Sequence, residues 1–110
     1  MAEFDPDRIY AALSEAGQDY ADKKASHKAL HEVTASVLAQ LIQAHLGTSA
    51  SHAEAKTMAL ASVTYRDHLA SVALAHKAYL QAQVKYDSVK ALSELRRSQE
   101  SSNRAAMTMR

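Results

Sequence analysis

Apolar and aromatic residues recur every seven positions in the second half of the chain, at Met58, Tyr65, Val72, Tyr79 and Tyr86. A second row follows three residues after each member of the first, at Ala61, His68, Ala75, Ala82 and Val89. Two rows with this spacing are the a and d positions of a coiled-coil helix. The pattern therefore predicts one long helix whose a/d seam packs against another helix.

The first half of the chain repeats this pattern less regularly. One row comprises Leu13, Tyr20, His27, Thr34 and Leu41. The other row comprises Ile9, Ala16, Lys23, Leu30, Val37 and Ala44. The middle of this seam is polar, but its period is still that of a helix. The two halves are joined by a short connection, which favours an antiparallel arrangement of the two helices.

Local signals predict where the helices begin and end. Asp5-Pro6 fits an N-cap followed by the first helical residue, and Gly47 fits the position after the last one. The first helix is expected over residues 6–46, although Gly17 leaves open a break into residues 6–16 and 18–46.

The second helix follows a turn over residues 47–50. Ser51 and Glu54 have the spacing of a capping box, which predicts a helix start at residue 51. That helix is expected to continue to about residue 100, and the polar, basic tail over residues 101–110 is expected to fray.

Composition agrees with this interpretation, because the chain of 110 residues contains only two glycines and one proline. A sheet of many strands needs far more turn residues than that. The fold class predicted is all-α: a single domain, residues 1–110, forming an antiparallel hairpin of long, coiled-coil-like helices.

Several large apolar residues of the second helix lie off its seam. A two-helix hairpin covers only one stripe of each helix, so these side chains would remain in water in a single chain. We therefore expect a homo-oligomeric helical bundle, either a four-helix dimer or a larger ring. The predicted interface residues are Leu60, Val63, Leu74, Leu80, Val84, Leu92 and Leu95.

The sequence contains no set of residues typical of a catalytic or metal site. His27 and His31 have the spacing of a zinc-chelating pair, with His68 or His76 as a third ligand from the other helix. We interpret the histidines instead as the polar lining of the seam, and we expect neither a metal nor another cofactor. The two glycines lie too far apart for a phosphate-binding loop. We expect no enzymatic activity.

Cysteine is absent, which excludes disulfides and fits a reducing compartment. The N-terminus lacks the basic and apolar regions of a signal peptide, and no apolar run of about 18 residues occurs. We expect a soluble cytoplasmic protein, in the host cytoplasm if a phage encodes it, without a membrane partner.

The net charge of +1 conceals an acidic beginning and a basic end. The basic end suggests contact with nucleic-acid phosphates, and Tyr86 lies where the first helix no longer covers the second if the hairpin is uneven. The candidate nucleic-acid-binding residues are Lys85, Tyr86, Lys90, Arg96, Arg97 and Arg104. For the seam tyrosines as a group we favour core packing, with Tyr86 as the exception, and ordinary charge pairs on a solvated helix face account for most of the basic segment.

Residues 65–101 combine an alanine-rich helix, the aromatic–acidic pair Tyr86-Asp87 and the basic Arg96-Arg97. In this they resemble small helical bacteriophage proteins, the recombination mediators of the UvsY type. The resemblance implies an oligomeric accessory factor that helps to load a recombinase or single-strand annealing protein on single-stranded DNA. The alternative is a coiled-coil protein-interaction module (an adaptor, inhibitor or virion component) that does not bind nucleic acid.

Overall fold

The computed structural model describes residues 6–48 and 51–108. Four helices cover nearly all of these residues: α1 (Pro6–Glu32), α2 (Thr34–Leu46), α3 (His52–Ala61) and α4 (Val63–Thr108). The described residues contain no strand. The all-α class and the long helices predicted from the sequence are confirmed.

Most helix ends lie close to the predicted positions. Pro6 is the first residue of α1, whereas its predicted cap Asp5 lies outside the described residues. Gly17 does not break α1. Gly47 follows Leu46 as the C-cap with φ −67°, so this end needs no left-handed residue. Thr108 ends α4, so the tail predicted to fray is helical over residues 101–108 and exposed throughout.

Ser51 caps α3 as its spacing from Glu54 predicts. The Ser51 backbone is extended, with φ −143° and ψ 160°, and its side-chain oxygen accepts a hydrogen bond from the Glu54 N–H at 3.2 Å. The bond satisfies one of the N–H groups that a helix start leaves without a partner.

The prediction of two unbroken helices is wrong at Ser62 and also, through one turn residue that keeps helical dihedrals (φ −87°, ψ −1°), at Val33. Val33 separates α1 from α2, while Ser62 adopts an extended backbone between α3 and α4. The Ser62 hydroxyl donates to the Ala59 carbonyl at 2.7 Å and accepts from the Tyr65 N–H at 3.2 Å, so one side chain caps both helices. Both breaks involve a Val-Thr pair, and β-branched side chains lose rotamer freedom in a helix.

The break at Ser62 shifts the seam of α3 by one residue from its predicted phase. Ala55 and Ala59 are buried, whereas the predicted seam residues Met58 and Ala61 are exposed. Beyond the break, all the predicted seam residues of α4 are half-buried or buried: Tyr65, His68, Val72, Ala75, Tyr79, Ala82, Tyr86 and Val89. The heptad pattern is therefore confirmed in α4, and its phase is wrong in α3.

The described residues divide into two compact units. The first unit comprises residues 6–22 and 80–108, where Tyr20 contacts Tyr86 while the earlier Ile9 lies beside the later Ser93. The second unit comprises residues 23–79. In each unit, residues earlier in one segment contact residues later in the other, so the paired helices run antiparallel.

Small residues form the buried core of the described chain. Its buried hydrophobic residues are Ala16, Ala55, Ala59 and Ala82, and no large side chain is fully buried among the described residues. Alanine allows helices to approach closely but removes little apolar area from water. Most of the large aliphatic side chains of α4 consequently contribute little to the packing within a single chain.

Candidate interaction surfaces

The most exposed aliphatic side chains of α4 lie on the side opposite its seam. Val63 and Leu74 in the second unit are 70% and 68% exposed, and Val84 and Leu95 in the first unit are 66% and 56% exposed. We call these two sets the outer pairs. Each member lies two residues from a seam residue, about 200° around the helix, and the interval of eleven positions from one partner to the other is close to three helical turns. The two side chains of each outer pair therefore point in nearly the same direction.

The remaining predicted interface residues are also exposed, but less so. Leu60, Leu80 and Leu92 are each 43–44% exposed. Leu69, which the sequence places off the seam as well, is similar. The packing within each unit thus leaves every predicted interface residue at least partly in contact with solvent.

Tyr86 packs against α1 within the first unit. Its ring stacks on that of Tyr20, with centroids 5.6 Å apart and planes inclined by 19°. The Tyr86 ring also lies over Gly17, where an added Cβ atom would come within 3.1 Å of it. The sequence-based expectation that α1 no longer covers Tyr86 is therefore wrong. The ring is part of the packing between two helices, and Gly17 provides the space for it.

Arg96 lies on the seam rather than on a free surface. Its Nε atom is 3.6 Å from the Glu100 carboxylate, and both side chains are half-buried. Ile9 and Tyr10 of α1 and Ser93 of α4 line the same depression. Arg96 therefore serves to pack and pair within the first unit, whereas Arg97 at its rim is exposed.

Lys85 lies along an acidic edge of the first unit. Glu15, Asp19 and Asp22 of α1 line one shallow groove together with Lys85. The carboxylates lower the electrostatic potential around this lysine, which disfavours the approach of a phosphate. Sequence spacing alone does not reveal this, because the acidic residues come from the other helix.

The other three basic candidates form a row on the opposite edge of the α4 seam. Lys90, Arg97 and Arg104 are all exposed and occupy the same heptad position, one residue after the second seam row. At about 1.5 Å of rise per residue, successive members lie about 10 Å apart along the helix. We call Lys90, Arg97 and Arg104 the basic row. Their seven-residue spacing is visible in the sequence, whereas Lys85 and Arg96 occupy other heptad positions.

The histidines of the described residues do not come together as a three-ligand cluster. His27 and His31 are 6.0 Å apart by ring centroid, and His76 of α4 stacks on His27 at 4.7 Å. His68, the other candidate third ligand, instead bonds to the Thr34 hydroxyl at 2.9 Å. No group of three or more His, Cys, Asp or Glu residues in the described ranges has the geometry to hold a metal ion.

Comparison of the chain with protein-family models, with curated proteins and with solved structures gives no match in any of the three. Within residues 6–48 and 51–108, no helix combines the length and the apolar character that crossing a bilayer requires.

Proposed function

We propose that this protein is a non-enzymatic, self-associating helical module whose copies pack through the outer pairs of α4. The observation that carries the proposal is the exposure of Val63 with Leu74 and of Val84 with Leu95, all more than half exposed. Aligned aliphatic side chains on one helix face are the usual contact surface of a second helix.

The energetic argument compares what each chain buries with what it exposes. The buried hydrophobic residues of the described chain are alanines, whereas the outer pairs consist of valine and leucine. Full burial of a valine or leucine side chain contributes about 1.5–3 kcal/mol. Packing two copies through these faces would therefore add apolar burial that the internal seams do not supply.

Single cysteines can test whether the outer pairs are covered in solution. The sequence has no cysteine, so Val84→Cys and Ser101→Cys each provide one thiol, and both positions are exposed within a chain. We expect the thiol at position 84 to react with a maleimide at least about tenfold more slowly than the thiol at position 101, since tenfold protection requires only about 1.4 kcal/mol. Labelling rates at high protein concentration provide the measurement.

Dilution and denaturation are the controls for this comparison. Dilution below the dissociation constant of the complex should equalise the two rates, as should unfolding in urea. Equal rates at every protein concentration would show that no second copy covers position 84.

The second candidate function is that of the accessory factor implied by the resemblance to recombination mediators. Its support is the basic row, because Lys90, Arg97 and Arg104 are exposed at regular intervals. Tyr86, Arg96 and Lys85 do not support it, since they pack against or lie beside α1. In this proposal the basic row contacts the phosphates of single-stranded DNA, and an annealing protein or recombinase is the partner that is loaded.

Replacing Lys90, Arg97 and Arg104 together with glutamine is expected to weaken single-stranded DNA binding at least tenfold at low salt. Each lost phosphate contact should also flatten the dependence of log affinity on log salt by about 0.7, and so by about 2 in total. Fluorescence anisotropy with a labelled oligonucleotide, repeated at several salt concentrations, measures both effects.

A control with the same change in charge replaces Lys28, Lys56 and Lys77, which are also exposed, with glutamine. It should retain most of the binding. If the native protein does not bind at low salt, or if both triple variants lose binding equally, the basic row is not a DNA site. Either result leaves the proposed association through the outer pairs intact.

A further inference from the structure

The second unit contains a cluster of aromatic and imidazole rings where α1 packs against α4. His27 of α1 stacks on His76 of α4 at 4.7 Å and lies nearly parallel to Tyr79, with centroids 5.8 Å apart and planes inclined by 13°. His31 lies one turn along α1, with its ring centroid 6.0 Å from that of His27. Three groups that can become cations thus lie within one small volume.

The charged groups around this cluster are themselves basic. Lys23 and Lys24 precede His27 by about one turn of α1, and Lys28 follows it and pairs with Glu32 at 3.9 Å. No acidic residue occurs within residues 23–31.

From α4, the titratable groups that face His27 are His76 and Tyr79. Lys77 follows His76, and no acidic residue occurs between Asp67 and Asp87. No carboxylate therefore lies within four residues of His27 or within eight residues of His76. The flanking acids of α1 are Asp22 and Glu32, and Glu32 pairs with Lys28.

We propose that the histidine cluster acts as a proton-sensitive contact: acidification places like charges on stacked rings and loosens the packing of α1 against α4 in the second unit. Neutral imidazoles can stack face to face, but two imidazolium rings at this separation repel each other. This device goes beyond the proposed association and is independent of it.

The electrostatics of His27 agree with this inference. Its partial burial, and next the neighbouring His76 and His31, lower the pKa of His27 below its ordinary value of 6.5. The unfolded chain therefore binds a proton at a higher pH than the folded chain does. The contribution of His27 to the free energy of unfolding is therefore fully present above about pH 6.5. It is lost as pH falls from there through the lowered pKa of the folded chain.

Thermal unfolding followed by circular dichroism tests the inference on the full chain at one protein concentration. Between about pH 7.5 and about pH 5, the Tm of the native protein is expected to fall, because the unfolded chain binds a proton at a higher pH than folded His27 does. The double variant His27→Gln/His76→Gln should show less than half of that fall. The control His52→Gln, which changes an exposed histidine at the start of α3, should behave like the native protein.

An equal loss of Tm in the native protein and in the double variant would overturn the proposal. Should the double variant fail to fold, NMR titration of the histidine rings in the native protein provides the deciding measurement. The His27 ring is expected to titrate below pH 6.5, and a midpoint at or above that value would contradict the proposal.

Discussion

Replacing Val84 and Leu95 with glutamate is expected to convert an associated protein into single chains of 12.0 kDa. Both side chains are more than half exposed within the chain, and glutamate is a good helix former, so α4 should remain helical. In an interface between two copies, however, each glutamate would have to lose its hydration without a partner, at a cost of several kcal/mol. Light scattering coupled to size-exclusion chromatography measures the mass, and circular dichroism confirms that the helices remain.

The matched control carries the same two negative charges away from the outer pairs. Ser36→Glu with Ser101→Glu changes an exposed residue of α2 and an exposed residue of α4 that lies about 120° around the helix from Leu95, and should retain the native mass. If the Val84/Leu95 variant keeps the native mass, copies do not associate through that pair. If the control also dissociates, the loss reflects net charge rather than contact at the outer pair.

Tyr86→Ala is expected to lower the free energy of unfolding by about 3 kcal/mol, within the range for truncation of aromatic side chains. The substitution removes the stack on Tyr20 and leaves a cavity above Gly17, where α1 approaches α4 closely. Urea unfolding at a fixed protein concentration measures the loss as a lower midpoint.

Two companion variants separate the role of the ring from general effects. Tyr86→Phe keeps the stack and should cost less than about 1 kcal/mol. Tyr10→Ala removes a tyrosine that is 56% exposed and should also cost less than about 1 kcal/mol. A midpoint for Tyr86→Ala equal to that of Tyr10→Ala would show that the stack on α1 does not stabilise the fold, and would leave the Tyr86 ring free for a ligand.

The sequence predicts the seam of α4 well because two properties repeat together there. Every seventh residue is apolar or aromatic, and small or medium-sized residues follow three positions later. A helix that repeats every 3.5 residues keeps such positions on one side, so burial follows from spacing alone. The exposure of the outer pairs follows from the same reasoning, because residues two positions from the seam point away from it.

The two helix breaks are harder to predict because their signal is weak. Val33-Thr34 and Val63-Thr64 are β-branched pairs, and such residues cost a helix only a few tenths of a kcal/mol each. At Ser62 one hydroxyl caps both helices, which favours the break. The residue type alone does not predict this role, because serine also occurs inside helices elsewhere in this chain.

The roles of the basic residues depend on the partner helix, which spacing within α4 does not describe. Lys85 lies beside acidic residues of α1, and Arg96 lies in a depression that α1 helps to line. The seven-residue interval of Lys90, Arg97 and Arg104 is the one part of this arrangement that the sequence itself contains. The heptad position of a basic residue relative to the seam therefore predicts whether its side chain is free of α1 better than the number of basic residues nearby does.

The mass of the native protein in solution tests the central claim most directly. Light scattering over a wide range of concentrations should give at least twice the subunit mass of 12.0 kDa at the high end, falling towards the subunit mass on dilution. A mass of 12.0 kDa at every concentration would contradict the account, because the outer pairs would then remain in water without a second copy to cover them.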